Sequence, residues 1–206
     1  MSRLPKVAGI VLAAGKGTRM GQTKQLLPFQ GRTILECVVD SALASSLHRV
    51  IVVIGHQSDL IEPLLQGRGV TVIVNPLFST GQSSSLQAGL RELTDESEAA
   101  LFLLGDQPLV TPQTIDRVIA AYQASRSPIV VPVSAGRRGN PALFSRETFP
   151  SIQRLSGDCG ARPLFDEYAE RLLALPVPGP DILFDVDTEE DYRLLLRQER
   201  LPDDPS

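Results

Sequence analysis

Three cations within nine residues, Lys16, Arg19 and Lys24, stand in the glycine-bearing stretch VLAAGKGTRMGQTKQLLPFQG, residues 11–31. Glycine lets a backbone approach a ligand closely and turn its N–H groups toward anionic oxygens. That density of positive charge suits a triphosphate better than a single phosphate. Two later acids can complete such a site: Asp106 in LLGDQP and Asp187 in FDVDTEEDY. Asp185 lies two residues before Asp187, so on a strand the two would share a face. The chain has two histidines and two cysteines, Cys37 and Cys159 standing in unrelated contexts, which gives no zinc pattern and no disulfide framework. Oxygen ligands point instead to a hard cation, Mg²⁺ or Mn²⁺. Arginines among glycines, Arg137, Arg138 and Arg162, can grip a second anion bidentately.

Two familiar phosphate loops do not fit these letters. A dinucleotide fingerprint needs a third glycine where Met20 stands, and a carboxylate after the second strand, where the chain reads Gly55–His56. No register of the stretch supplies the G-x-x-x-x-G-K-[ST] of a P-loop. The net charge of −4 gives no general attraction to nucleic acid or to an anionic membrane. The first apolar run is too short to span a bilayer and is read as a strand, so the expected compartment is the cytoplasm.

Short apolar runs rich in β-branched residues, at 7–12, 50–54, 70–74, 99–104 and 129–133, read as buried strands. Between them lie helical patterns at 33–45, 58–65 (with Ser58 as N-cap) and 83–93. A fourth opens at Thr111–Pro112, with Ile115, Val118, Ile119 and Tyr122 as its stripe. Thr188 and Asp191 form a capping box for a last helix through Arg197. This alternation predicts an α/β fold, a Rossmann-like, mostly parallel sheet with helices on both faces. The glycine- and proline-rich segment 136–180 is expected to form an inserted or antiparallel, partly irregular element over the open face. One domain is expected, with 1–110 mainly nucleotide-binding, 111–198 mainly acceptor-binding and 199–206 a disordered tail.

The long stretch LAAGKGTRMGQTKQLLPFQG resembles the signature of the MobA-like nucleotidyltransferases. The likeness continues through NPLFSTGQSSSLQAGL, LLGDQPLVTP, GRRGNPALFS, SGDCGARPLF and FDVDTEEDY, in the order of the molybdenum cofactor cytidylyltransferase branch. It implies a nucleotide-diphospho-sugar transferase-like fold. The implied reaction is transfer of CMP from CTP to the terminal phosphate of molybdenum-bound molybdopterin, for a client molybdoenzyme. LAAG rather than LAGG favours CTP over GTP. The resemblance places nucleotide contacts at Leu12, Ala13, Ala14, Gly15, Lys16, Gly17, Arg19, Lys24, Gly81, Ser83 and Ser85. Acceptor contacts fall at Arg137, Arg138, Asn140, Asp158 and Arg162, and metal ligands at Asp106 and Asp187 with Asp185 a less certain partner. Arg19, Lys24 and Asp106 are the catalytic residues in this reading; Gln25 and Cys159 have no part in the chemistry. A GTP-using guanylyltransferase, a transferase for another phosphorylated acceptor and a non-catalytic carrier of the cofactor are the alternatives, with a nicotinamide-dependent dehydrogenase the poorest.

Overall fold

The structure is a computed structural model and describes residues 4–15 and 23–199. Its elements run β1 (Val7–Ala13), β2 (Pro28–Phe29), β3 (Arg32–Thr33), α1 (Ile34–Leu43), β4 (Arg49–Ile54), α2 (Ser58–Leu65), β5 (Thr71–Val74), α3 (Gln82–Arg91) and β6 (Ala99–Leu104). They continue through α4 (Pro112–Ser125), β7 (Ile129–Ser134), β8 (Arg137–Arg138), β9 (Ala142–Ser145), α5 (Phe149–Gln153), α6 (Pro163–Glu167), β10 (Leu172–Pro176) and α7 (Glu189–Glu199). The main sheet has the order β10-β7-β9-β6-β1-β4-β5, with β8 paired to β7. The chain is thus α/β with a mostly parallel sheet, as the alternation predicts.

Every residue of β1 is buried, and its side chains alternate between two cores. Val7, Val11 and Ala13 pack with Leu35, Val38 and Val39 of α1 and with Ile115, Val118 and Ile119 of α4. Ile10 and Leu12 pack on the other face with Leu86 and Leu90 of α3, Ile152 of α5 and Leu164 of α6. A strand covered on both faces needs apolar residues at every position, which is why these runs show no polar alternation. α1 begins with a full capping box between Thr33 and Glu36, and α4 with Thr111 and Pro112.

Three expectations change. The segment 136–180 supplies the expected inserted, antiparallel element, but as part of the main sheet: β9 stands antiparallel between β6 and β7, and β10 extends the sheet parallel to β7. Ser58 is the first residue of α2, and the residue before it, Gln57, holds a left-handed conformation at φ 51°. α3 starts one residue early, at Gln82, and ends at Arg91. No described helix is long and apolar enough to cross a membrane.

Candidate active site

β1, β4 and β6 are parallel neighbours whose ends come into register, Leu12 opposite Leu104 and Ala13 opposite Ile54. The loops that follow therefore open at one edge of the sheet, where ligands collect in such folds. There a cleft of about 700 Å³ is lined by Leu12, Ala14, Gly15, Lys24, Gly81, Ser85, Asp106 and Asp187, among others.

Lys24 opens a short 3₁₀ turn, Lys24–Leu26. Its ammonium contacts Asp106 Oδ2 and lies 2.6 Å from Asp187 Oδ1. The two acids, far apart in sequence, meet because the Val186 N–H donates to the Asp106 carbonyl at 3.1 Å. Val186 is itself buried with Leu27, Phe29, Ile34 and Leu195, which anchors the segment against the β2–β3 hairpin and α7. Burial alone would lower the Lys24 pKa; the Asp106 carboxylate, with Asp187, more than reverses this, so the ammonium stays charged.

Asp185 does not join the pair. Residues 184–187 are not a strand, so the shared-face expectation fails, and Asp185 Oδ1 accepts a 2.6 Å hydrogen bond from Gln107 Nε2. Burial, then Asp106, raises the Asp185 pKa, with Asp187 adding to the effect and Gln107 and Lys24 opposing it. Asp106 Oδ1 is buried without a hydrogen-bond partner. Two hard carboxylates, one with an unspent buried oxygen, fit a divalent cation. Among the described residues no three His, Cys, Asp or Glu side chains are grouped to hold a metal. Such a cation would need further oxygens from phosphate and water, the usual mode for Mg²⁺.

The remaining expected contacts divide. Ala14 and Gly15 line the cleft, and Ser85 does so with its hydroxyl accepting from Asn75 Nδ2 at 3.0 Å. Ala13 packs into the core and is absent from the lining. Ser83 is almost fully buried, with its hydroxyl 3.7 Å from Cys159 Sγ. The N-terminus of α3 is already engaged: Gln82 N–H donates to Asp158 Oδ1 at 3.1 Å and Ser83 N–H to the Gly157 carbonyl at 3.2 Å. Asp158 is thus a cap from a distant loop and lines the nucleotide side of the site. Lys16, Gly17 and Arg19 lie outside the described residues.

A second cavity of about 430 Å³ shares Leu12, Gln82, Leu104 and Arg162 with the first. Arg138 and Asn140 line it, and the Arg138 guanidinium stands 5.4 Å above the Phe165 ring. Phe102 and Phe144 complete an aromatic floor. Arg137 is exposed and lines neither cavity.

Sequence reasoning missed Gln25. Its side chain is buried at 3 % exposure, lines the first cleft, and its Oε1 has no hydrogen-bond partner. A polar residue between Lys24 and two leucines gives no signal of this. An unsatisfied buried acceptor costs about 1–3 kcal/mol. Triphosphate oxygens carry no donor at neutral pH, so a ligand partner must be a nucleoside N–H or hydroxyl. Gln25→Leu is therefore expected to raise Tm by roughly 2–4 °C or more and to raise the nucleotide KM several-fold. An unchanged KM in steady-state assays removes Gln25 from nucleotide binding.

The MobA-like NTP transferase domain matches residues 9–172 of the chain. The chain belongs to that family. It is a nucleotidyltransferase by this membership. Nicotine blue oxidoreductase of Paenarthrobacter nicotinovorans is 31 % identical over 93 % of this chain and 98 % of that one. Molybdenum cofactor cytidylyltransferase of Escherichia coli (strain K12) is 28 % identical over 89 % and 92 %. Rv0371c of Mycobacterium tuberculosis H37Rv superimposes with a TM-score of 0.85 at 32 % identity, covering 95 % of this chain and 100 % of that one. A crystal structure of the same protein in complex with manganese gives 0.80 at 32 % identity, covering 93 % and 98 %.

Proposed function

We propose that this transferase moves CMP from CTP to the terminal phosphate of molybdenum-bound molybdopterin and releases pyrophosphate. The observation that carries the reading is the Asp106–Lys24–Asp187 cluster, standing where the nucleotide cleft opens beside an arginine-lined, aromatic second cavity. The likeness to the cytidylyltransferase supports the choice of nucleotide and acceptor. Ala14, the residue by which the motif resemblance favours CTP, lines the cleft together with Phe78.

In this reading an oxygen of the acceptor phosphate attacks the α-phosphorus and the bond to the bridging oxygen breaks. The acceptor is already an anion near neutral pH, so no general base is required. That agrees with the described cleft, whose lining contains no histidine. Lys24 and Arg19, with Lys16, neutralise the α-phosphate and the leaving pyrophosphate. Gly15, Gly17, Gly81 and Ser85 hold the nucleotide, while Arg138, Asn140 and Arg162 orient the acceptor. A divalent cation held by Asp106 and Asp187, Mg²⁺ with Mn²⁺ able to replace it, would spread phosphate charge during transfer. The manganese complex of Rv0371c supports that metal class. Both cysteines are free thiols, which suits the cytoplasm, with a molybdoenzyme as eventual client.

The test is pyrophosphate release with CTP, GTP, ATP and UTP, each with purified molybdenum cofactor as acceptor. CTP should dominate; a preference for GTP would make the chain a guanylyltransferase, and no turnover with any would favour a cofactor carrier. Arg138→Ala is expected to raise the acceptor KM about tenfold or more, the loss of one charge-assisted contact, with the CTP KM little changed. An unchanged acceptor KM moves Arg138 out of the acceptor site. The name of the oxidoreductase relative gives a second reading, a nicotinamide-dependent oxidoreductase using the same cavities. β4, however, ends at Ile54 followed by Gly55–His56, with no carboxylate for a nicotinamide ribose. Absence of NADH or NADPH binding closes that reading.

A further inference from the structure

Lys24 does more than pair with two acids: it sits where a cation would have to sit. Its Nζ touches one oxygen of Asp106 and, at 2.6 Å, one of Asp187. Its side chain is only 12 % exposed, and Asp106's only 17 %. The ammonium and the two carboxylates therefore form one contacting group that lines the cleft, open to solvent on the Asp187 side, whose side chain is 41 % exposed. The acids cannot drift apart to make room, because the Val186–Asp106 backbone hydrogen bond and the burial of Val186 hold them together. An ammonium and a divalent cation repel each other, and the ammonium already holds Asp106 Oδ2 and Asp187 Oδ1, leaving a cation only Asp106 Oδ1 of the pair's facing oxygens. The inference rests on Asp106 and Asp187 being the cation ligands.

We infer that Lys24 is a built-in competitor for the divalent cation, holding the Asp106–Asp187 seat closed until a polyphosphate draws its ammonium away. In the free protein the lysine offsets one of the two negative charges and holds an oxygen of each acid, so a metal entering alone must displace it. The arriving triphosphate offers Lys24 other anionic oxygens. The seat then opens at the moment when phosphate oxygens can fill the rest of the cation's coordination shell. Metal and nucleotide enter together, and the free enzyme does not collect the cation idly.

The test uses the full chain and Mn²⁺ alone, with free Mn²⁺ followed by electron paramagnetic resonance. Wild type should bind Mn²⁺ weakly without nucleotide. Lys24→Gln, which removes the charge but keeps a polar side chain, should bind it about tenfold more tightly. Asp106→Asn in the Lys24→Gln background should abolish the gain. Equal or weaker binding by Lys24→Gln overturns the inference, as does a gain that survives loss of Asp106. A second measurement needs no variant. Acetic anhydride should label Lys24 of the wild type, quantified by mass spectrometry, several-fold faster at saturating Mn²⁺ than without metal. Labelling that Mn²⁺ does not accelerate counts equally against it. Neither experiment contains nucleotide or pterin, so a wrong choice of CTP or acceptor leaves both readouts intact. Conversely, their failure leaves the proposed transfer reaction standing.

Discussion

Asp106→Asn is expected to slow nucleotidyl transfer about a thousandfold or more, roughly 4 kcal/mol of lost transition-state stabilisation, while the protein remains folded. Asparagine matches the shape of aspartate but removes the charge that a cation or Lys24 answers. Folding should survive because Lys24 keeps Asp187 as a partner. Asp106 also raises the pKa of Asp185, so its removal relieves a crowded group of acids. Asp187→Asn should cost less, about ten- to a hundredfold, since its side chain is 41 % exposed against 17 % for Asp106, and water screens the exposed charge more. Pyrophosphate release at saturating Mg²⁺, with circular dichroism and Tm as folding controls, checks both. A near-normal rate for Asp106→Asn would remove it from the chemistry.

What could be read from the letters follows from how local each cause is. β6 was bounded correctly because a six-residue apolar run between polar flanks can only be a buried strand. The capping box at Thr188–Asp191 was legible because its partners lie within one turn; the box at Thr33–Glu36, equally local, was not read. An inserted or antiparallel element was legible in 136–180, but not that β9 would stand between β6 and β7. β9 has four residues, and its partners β6 and β7 are chosen by pairing across the sheet. Asp187 lines the cleft beside Lys24, at the position that the motif resemblance singles out. The spacing argument that joined it to Asp185 failed because a backbone tie to Asp106 replaced the strand on which it depended. Asp158, expected at the acceptor, also caps α3 through Gln82, 76 residues away in sequence, a contact that no local pattern announces. Gln25 gave no signal, because its burial and its unsatisfied oxygen are properties of the cleft.

Gly81→Ala is expected to destabilise the protein by about 3–5 kcal/mol, the sum of backbone strain and overpacking. Gly81 holds φ 116° and ψ 168°, a conformation reserved almost entirely to glycine. A β-carbon there would stand 2.3 Å from the carbonyl carbon and oxygen of Gly157 and 2.7 Å from Asp158 N. These are backbone atoms, so no rotamer change relieves the clash and the loop after α5 must retreat. Its retreat would break the bonds from Gln82 and Ser83 to Asp158 and Gly157, leaving the first turn of α3 uncapped. Gln82 and Arg162 line both cavities, so both KM values should rise together, unlike the one-sided effect of Arg138→Ala. In thermal melts the change should lower Tm by roughly 6–20 °C for a chain of this size. Gly136→Ala is the matched control: φ is 74°, but nothing lies within 4 Å of the added carbon, so only strain of about 1 kcal/mol applies. Equal losses in the two variants would mean that the Gly81–Gly157 approach contributes nothing, and that the two halves of the site are not joined there.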